Sequence, residues 1–254
     1  MRTITKLLVI ILVIAALTTA CGVPFQPRLV KGSGEIVVED RKVSGFDKIL
    51  VTGAGRLIIT QGDSETLSIE TDDNLMEYIR TEVVGDTLEI GFEDDVVFSS
   101  NGGGMGLDPT DGFIFYISVT DLQGISISGA ADIEMEKIKT DQLDITLSGA
   151  GQVSIDDLDA STLYVLVSGA GDVNIGGRVV SQLVRLSGLG RYQAFDLESQ
   201  EADVTISGAG GANVWATESL DVSISGAGDV KYYGSPSVTP NISGLGRIQS
   251  QGEK

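Results

Sequence analysis

Seven times between residue 128 and the end of the sequence the chain writes Ser-Gly-(Ala/Leu)-(Gly/Ala). The first glycines fall at Gly129, Gly149, Gly169, Gly188, Gly208, Gly226 and Gly244, in steps of 20, 20, 19, 20, 18 and 18 residues. A propeller blade or a paired-helix repeat needs roughly 33 to 50 residues per unit, so the period excludes both. What fits is an all-β chain wound as a parallel β-solenoid, a stack of coils of about 18–20 residues. A solenoid presents a long surface to a partner more readily than it builds a pocket for chemistry.

Aligned on the glycine, the residues before each motif alternate apolar and mostly polar: Ile125 and Ile127, Ile145 and Leu147, Val165 and Val167, Val184 and Leu186, Val204 and Ile206, Val222 and Ile224. Those after it alternate too, as in Ile133 and Met135, Val153 and Ile155, or Val173 and Ile175. Alternation with period two marks strands with one buried face. Each unit therefore reads as strand, Ser-Gly-Ala-Gly corner, strand and variable turn. Stacked at about 4.8 Å per coil, seven units make a rod roughly 34 Å long.

Glycine suits such a corner because it enters positive φ freely and because stacked corners leave no room for side chains. The Ala or Leu between the glycines is expected to point inward as a small core column. Stacking also makes a register prediction. The position after the corner reads Asp132, Gln152, Asp172, Arg191, Gly211, Asp229 and Arg247, so Asp172 should meet Arg191 and Asp229 should meet Arg247 in favourable neighbouring-strand pairs.

The earlier half carries the same theme in degenerate form. Val51-Thr52-Gly53-Ala54-Gly55 lies between apolar runs, and Leu67 to Glu70 and Thr87 to Ile90 read as further strands. Between them Asp73 to Val83 suits a short helix, with Asp72 or Asp73 as N-cap and Leu75, Met76 and Ile79 on one face. The glycine-rich segment 99–112, with Gly102, Gly103, Gly104 and Gly106, reads as a projecting loop. Pro236 and Pro240 bracket the last turn and suit an edge coil acting as a cap.

The N-terminus has the pattern of a targeting signal: Arg2 and Lys6, then the apolar run Leu7 to Leu17, then the only cysteine, Cys21. The run is short for a spanning helix. A single cysteine in an exported protein forms no internal disulfide, and Cys21 sits where a bacterial lipoprotein signal places the lipidated residue. The expected organisation is a signal peptide over 1–20, a tether over 21–31 that contains Pro24 and Pro27, and one solenoid domain over 32–254. An ordinary secretory signal or an uncleaved anchor is the competing reading. The whole chain holds 17 basic and 36 acidic residues, and with Arg2 and Lys6 set aside the remainder carries 15 against 36, a net −21. Such a charge repels nucleic acid and anionic headgroups, so membrane association is expected through a lipid on Cys21.

The segments Gly45-Phe46-Asp47-Lys48-Ile49, Val51-Thr52-Gly53-Ala54-Gly55, Ile59-Thr60-Gln61-Gly62-Asp63 and Thr71-Asp72-Asp73-Asn74-Leu75, together with the Ser-Gly-Ala-Gly series, resemble the bacterial head GIN-domain family of auto-transporter adhesins. The resemblance covers about residues 32 to 250. It implies a right-handed β-helix-like fold at the cell envelope, in a family whose members often begin with a lipoprotein signal. It brings no catalytic motif to these positions.

Function classes narrow further by residue type. The chain has no histidine, which removes Ser-His-Asp and Cys-His arrangements and His-based zinc sites. The glycine corners lack the Lys-Ser/Thr of a phosphate-binding loop. Carboxylates remain, as pairs for glycoside hydrolysis or as calcium ligands: Asp72 and Asp73; Glu93, Asp94 and Asp95; Asp108 and Asp111; Asp156, Asp157 and Asp159. None reproduces a calcium-loop pattern, and a solvated acidic surface is the simpler reading. No cofactor or metal is called for. Among the aromatics Tyr164, Tyr192, Trp215, Tyr232 and Tyr233, the phases of Tyr192 and Tyr232 point inward, whereas Trp215 follows Val214 in the outward phase and is the candidate for a binding patch.

The leading expectation is a lipid-anchored, non-enzymatic solenoid that presents its surface to an envelope protein or polysaccharide. The alternatives are a carboxylate- or calcium-dependent polysaccharide enzyme, which would need three or more convergent acids beside a basic residue, and a structural or sensor component of an envelope-stress system.

Overall fold

The structure is a computed structural model and describes residues 29–93 and 106–254. The signal segment, Cys21, most of the tether, Asp94, Asp95 and residues 99–105 lie outside the described residues. The chain forms a β-solenoid of about six turns, built from two parallel ladders joined at the Ser-Gly corners.

The ladder before the corners runs from Thr87–Phe92 through Lys48–Val51, Gly124–Ile127 and Gln142–Leu147 into the later halves of Ala150–Val167, Ala170–Leu186, Arg191–Ile206 and Gly211–Ile224. It ends at Ser237–Ile242. The ladder after the corners runs from Ile114–Val119 through Ala54–Gln61, Ala130–Lys139 and the earlier halves of the same four long strands to Asp229–Tyr233 and Arg247–Ser250. Inward positions of the ladders form columns, such as Ile49, Ile125, Ile145, Val165, Val184, Val204 and Val222, all at most 2% exposed. Parallel stacking turns the sequence period directly into these columns.

The predicted register holds. Asp172 stands opposite Arg191 and Asp229 opposite Arg247, with closest ion-pair distances of 3.0 and 3.7 Å. Exposed pairs of this kind align coils more than they stabilise them.

The corners differ from expectation in direction. The third motif residue faces solvent: Leu189 is 70% and Leu245 89% exposed, and the equivalent alanines from Ala130 to Ala227 are exposed as well. The fourth position faces the core, where Ala131 is buried and where an added Cβ at Gly171 would meet Gly151 O and Leu147 Cδ2 at 2.4 Å. The first glycine is required by close approach. A Cβ on Gly169 would lie 1.9 Å from Gly149 O and 2.6 Å from Ser148 O, because Ala170 N donates to Gly149 O and Gly169 N to Leu147 O across the coil gap. The first motif glycines are not among those with positive φ; Gly151, at the fourth place, is (139°).

The variable turns are also more regular than expected. In the four long strands hydrogen bonding continues past the turn, interrupted by bulges between Ile155 and Leu158, Asn174 and Gly177, and Ala194 and Glu198. These bulges line up across neighbouring coils and form a belt.

The described residues between 62 and 123 supply the first strand of each ladder, Thr87–Phe92 and Ile114–Val119, and add antiparallel strands that close the first end of the solenoid. Thr66–Asp72 runs antiparallel to both Ile114–Val119 and Ile36–Arg41, and Ile79–Val84 folds antiparallel onto Thr87–Phe92. Of the two strands expected to continue the repeat, Leu67 to Glu70 thus belongs to the antiparallel cap, whereas Thr87 to Ile90 is the first rung of the ladder before the corners, parallel to Lys48–Val51. The expected helix shrinks to a 3-10 turn, Asp73–Tyr78, with Leu75 and Met76 buried. β-branched Ile79, Thr81, Val83 and Val84 then favour a strand, and Gly85, at φ 67°, opens the hairpin turn.

Asp72 makes no side-chain cap. Its carboxylate instead accepts from Gly34 N, Thr110 N and Thr110 Oγ1 at 2.8, 2.8 and 2.6 Å, tying the entering chain to the returning one. Burial by itself would raise its pKa, but these hydrogen bonds prevail and hold it below the ordinary value. Gly106–Asp108, expected within a projecting loop, is a short strand paired in parallel with Leu29–Lys31. At the far end Pro240 sits in the edge strand Ser237–Ile242, where a residue without an N–H is tolerated. Among the described residues no helix is long and apolar enough to cross a membrane.

Candidate functional site

The face of the ladder after the corners carries three outward rows. The first holds the charged residues that pair from coil to coil. The second reads Ile58, Glu134, Ser154, Asn174, Gln193, Asn213, Lys231 and Gln249, in register. The third lies at the bulge belt and holds Asp156, Gly176, Phe195, Asp196, Trp215 and Tyr233.

Asn174, Gln193 and Asn213 are at least partly exposed, and among the described residues their side chains make no hydrogen bond. Unengaged amides on a rigid ladder offer both donors and acceptors to a ligand. Beside them, Phe195 and Asp196 lie within the bulge that separates Ala194 from Glu198, a device that re-aims side chains. The Phe195 ring meets Tyr233 edge-on with centroids 4.8 Å apart. Trp215, half-buried and in register with Tyr233, has Lys254 Nζ 4.8 Å from its ring centroid. The same ammonium donates to Asp196 Oδ1 and Phe195 O.

Ser154, Asp156, Asn174, Gly176, Gln193 and Phe195 are among the residues lining a groove of about 340 Å³. Gly176 is one of them, and an added Cβ there would lie 2.5 Å from Asp156 O and 3.5 Å from Asp196 Cβ. The backbone of the neighbouring coil thus leaves no room for a side chain at this position of the groove. A second depression of about 430 Å³, which shares Ser154 and Asp156, continues it past Ile58, Thr60, Glu134 and Glu136.

The aromatics predicted from phase therefore separate. Tyr192 is fully buried; its hydroxyl donates to Gln182 Oε1, Gln182 Nε2 donates to Ser199 Oγ, and Ser199 Oγ donates to Trp215 O, each at 2.8 Å. Burial pushes the Tyr192 phenol well up and keeps it neutral. Tyr232 packs against the core. Tyr164 stands on the other ladder, level with Asp144 and Leu183. Trp215 and Tyr233 do not line the groove themselves; Tyr233 packs edge-on against Phe195, the aromatic that does line it and that phase alone does not single out.

The acidic clusters are divided in the same way. Asp72 is a buried clasp, whereas Asp73 accepts from Ser33 Oγ and Asn74 N. Asp157 pairs with Lys137 and Asp159 with Arg178, and the Arg178 guanidinium bonded to Asp159 lowers that carboxyl's pKa. Asp156 is left facing the groove. Among the described residues no group of three or more acidic, cysteine or histidine side chains is placed to hold a metal ion.

Similar solved structures include proteins from Bacteroides and Parabacteroides species. A "putative adhesin" from Bacteroides fragilis is 29% identical, with a TM-score of 0.80 over 87% of this chain and 99% of its own. A "putative lipid binding protein" from Parabacteroides distasonis is 25% identical, with a TM-score of 0.69 over 88% and 99%. A "putative adhesin" from the same species, 23% identical with a TM-score of 0.68 over 87% and 99%, shows the fold alone. No curated protein matches the chain. The family model described as "Putative auto-transporter adhesin, head GIN domain" matches residues 45–236. That match takes in the cap, six of the seven Ser-Gly corners and the groove, and the chain belongs to this head GIN-domain family.

Proposed function

We propose that this is an exported, lipid-anchored bacterial adhesion protein that binds a macromolecule along the outer face of its second ladder without catalysing a reaction on it. The observation that carries the reading is the row of unengaged amides Asn174, Gln193 and Asn213 beside an aromatic cluster, displayed on a backbone rigidified from coil to coil. Membership in an adhesin family supports it, as does the resemblance to the adhesin of Bacteroides fragilis. Arg2, Lys6, the run Leu7 to Leu17 and Cys21 support export and anchoring. The groove and the depression that continues it are lined by Asp156, Asp196, Glu134 and Glu136, but Lys254 holds Asp196 and Arg56 holds Glu134. Among the described residues no three acids converge closely enough to hold one ion, which favours binding over a carboxylate- or calcium-dependent polysaccharide enzyme.

The test is attachment of intact cells. Deleting the gene should reduce binding of the bacterium to a host-cell or polysaccharide-coated surface, and restoring it should recover binding. Antibody against the solenoid should label unbroken cells. Unchanged attachment on deletion, or labelling only after lysis, would refute the reading. Cys21→Ser should move the protein from the membrane fraction to the soluble exported fraction; continued membrane fractionation would remove the lipid anchor from the proposal.

A further inference from the structure

We infer that the trough along the bulge belt is a binding site for a neutral polysaccharide, its pyranose units lying along the solenoid axis. The inference deepens the adhesion reading and rests on it. A pyranose ring has an apolar C–H face and an edge of hydroxyls that both donate and accept. It is recognised by an aromatic wall beside amides and carboxylates, groups that supply the complementary donors and acceptors. The groove is lined by these parts: the Phe195 ring, the Asn174 and Gln193 amides, and the Asp156 carboxylate.

Its shape indicates a chain rather than a single sugar. The two linked depressions, about 340 and 430 Å³, each fall within the usual size of a ligand pocket. Together they cross five coils, roughly 19 Å at the coil spacing. The coil spacing is close to the length of one sugar unit in an extended polymer, so successive units meet equivalent positions of the ladder. The trough runs perpendicular to the strands, which is the direction in which the amide row repeats.

Charge selects the class. The chain carries a net −19. Asp156 and Glu136 line the trough, while Lys254 and Arg56 offset Asp196 and Glu134. An anionic polysaccharide is repelled by such a surface, whereas hydroxyls are good donors to its carboxylates.

The experiment is calorimetric titration of the purified solenoid with cellohexaose, mannohexaose, maltohexaose and, as the anionic probe, hexagalacturonate. At least one neutral hexasaccharide should bind and hexagalacturonate should not. The Asn174→Ala/Gln193→Ala double variant removes side chains that have no described partner. It should keep the parent's thermal unfolding midpoint and bind about tenfold more weakly, the size of one or two net hydrogen bonds. Phe195→Ala should weaken binding as well, and Tyr164→Ala, on the other ladder, should leave it unchanged.

Binding by none of the neutral probes, strongest binding by hexagalacturonate, or full affinity in the double variant would overturn the inference. Cell attachment separates the two proposals. Attachment that depends on the gene while the neutral probes neither bind nor compete would sink the polysaccharide site and leave adhesion standing, whereas attachment unchanged by deletion of the gene would sink adhesion itself.

Discussion

Gly169→Ala and Ala170→Leu are neighbouring substitutions with opposite expected outcomes. The methyl added at Gly169 would sit 1.9 Å from Gly149 O and 2.6 Å from Ser148 O, both backbone atoms of the coil beneath. No rotamer relieves that contact, so the two coils must part at the corner. Parting them strains the hydrogen bonds Ala170 N to Gly149 O and Gly169 N to Leu147 O, now 3.1 and 3.2 Å. Two hydrogen bonds at about 1 kcal/mol each, plus about 1–3 kcal/mol for overpacking, put the cost at about 3–5 kcal/mol.

Ala170 points to solvent, as Leu189 and Leu245 do at the same motif place, so leucine there should change stability by less than about 0.5 kcal/mol. Urea unfolding followed by circular dichroism measures both, and amide hydrogen exchange locates the damage, which should centre on the corners at 149 and 169 because each coil touches only its neighbours. A loss below about 1 kcal/mol for Gly169→Ala, or a larger loss for Ala170→Leu than for Gly169→Ala, would refute the assignment of which corner residue is buried.

Asp72→Asn places an amide N–H against the Thr110 N–H that now donates to the carboxylate, and should cost about 1–3 kcal/mol in chemical denaturation. Because the folded Asp72 carboxyl is held below its ordinary value, its contribution is present above the unfolded pKa of about 3.9 and is lost as pH falls through the folded pKa. The variant should therefore lose less stability than the parent over that acid range, and an equal loss would argue against the clasp. Tyr192→Phe removes the donor to Gln182 Oε1 inside the core and should cost about 1–3 kcal/mol in a thermal melt, while adding Gln182→Leu should recover part of it. A Tyr192→Phe variant as stable as the parent would show that the buried network contributes nothing.

Much of the architecture is legible because parallel coils convert sequence spacing into spatial coincidence. Asp172 and Arg191 can be paired from the alignment alone, and so can the inward columns. The amide row was equally readable, since Asn174, Gln193 and Asn213 occupy one aligned position. The uneven steps of 19, 20 and 18 residues around Gly188, Gly208 and Gly226 carried the signal of the bulges, because an extra residue between fixed ladders has to leave the hydrogen-bonded line. Phe195 was missed for that reason: its phase is set by the bulge and not by the alternation that placed Trp215.

The sequence by itself determined a solenoid, its coil length, its inward columns and its register, since each follows from a period that stacking preserves. Tertiary structure alone decided which corner residue turns outward, because backbone carbonyls of adjacent coils approach too closely for a Cβ at the first glycine and leave the third residue only solvent to occupy. It alone decided that Thr66–Asp72 runs antiparallel and that Asp72 serves as a clasp instead of a helix cap, because both depend on partners about 40 residues away along the chain. The trough arises in the same way, from bulges that are local in each coil and become a groove only when three coils carry them side by side.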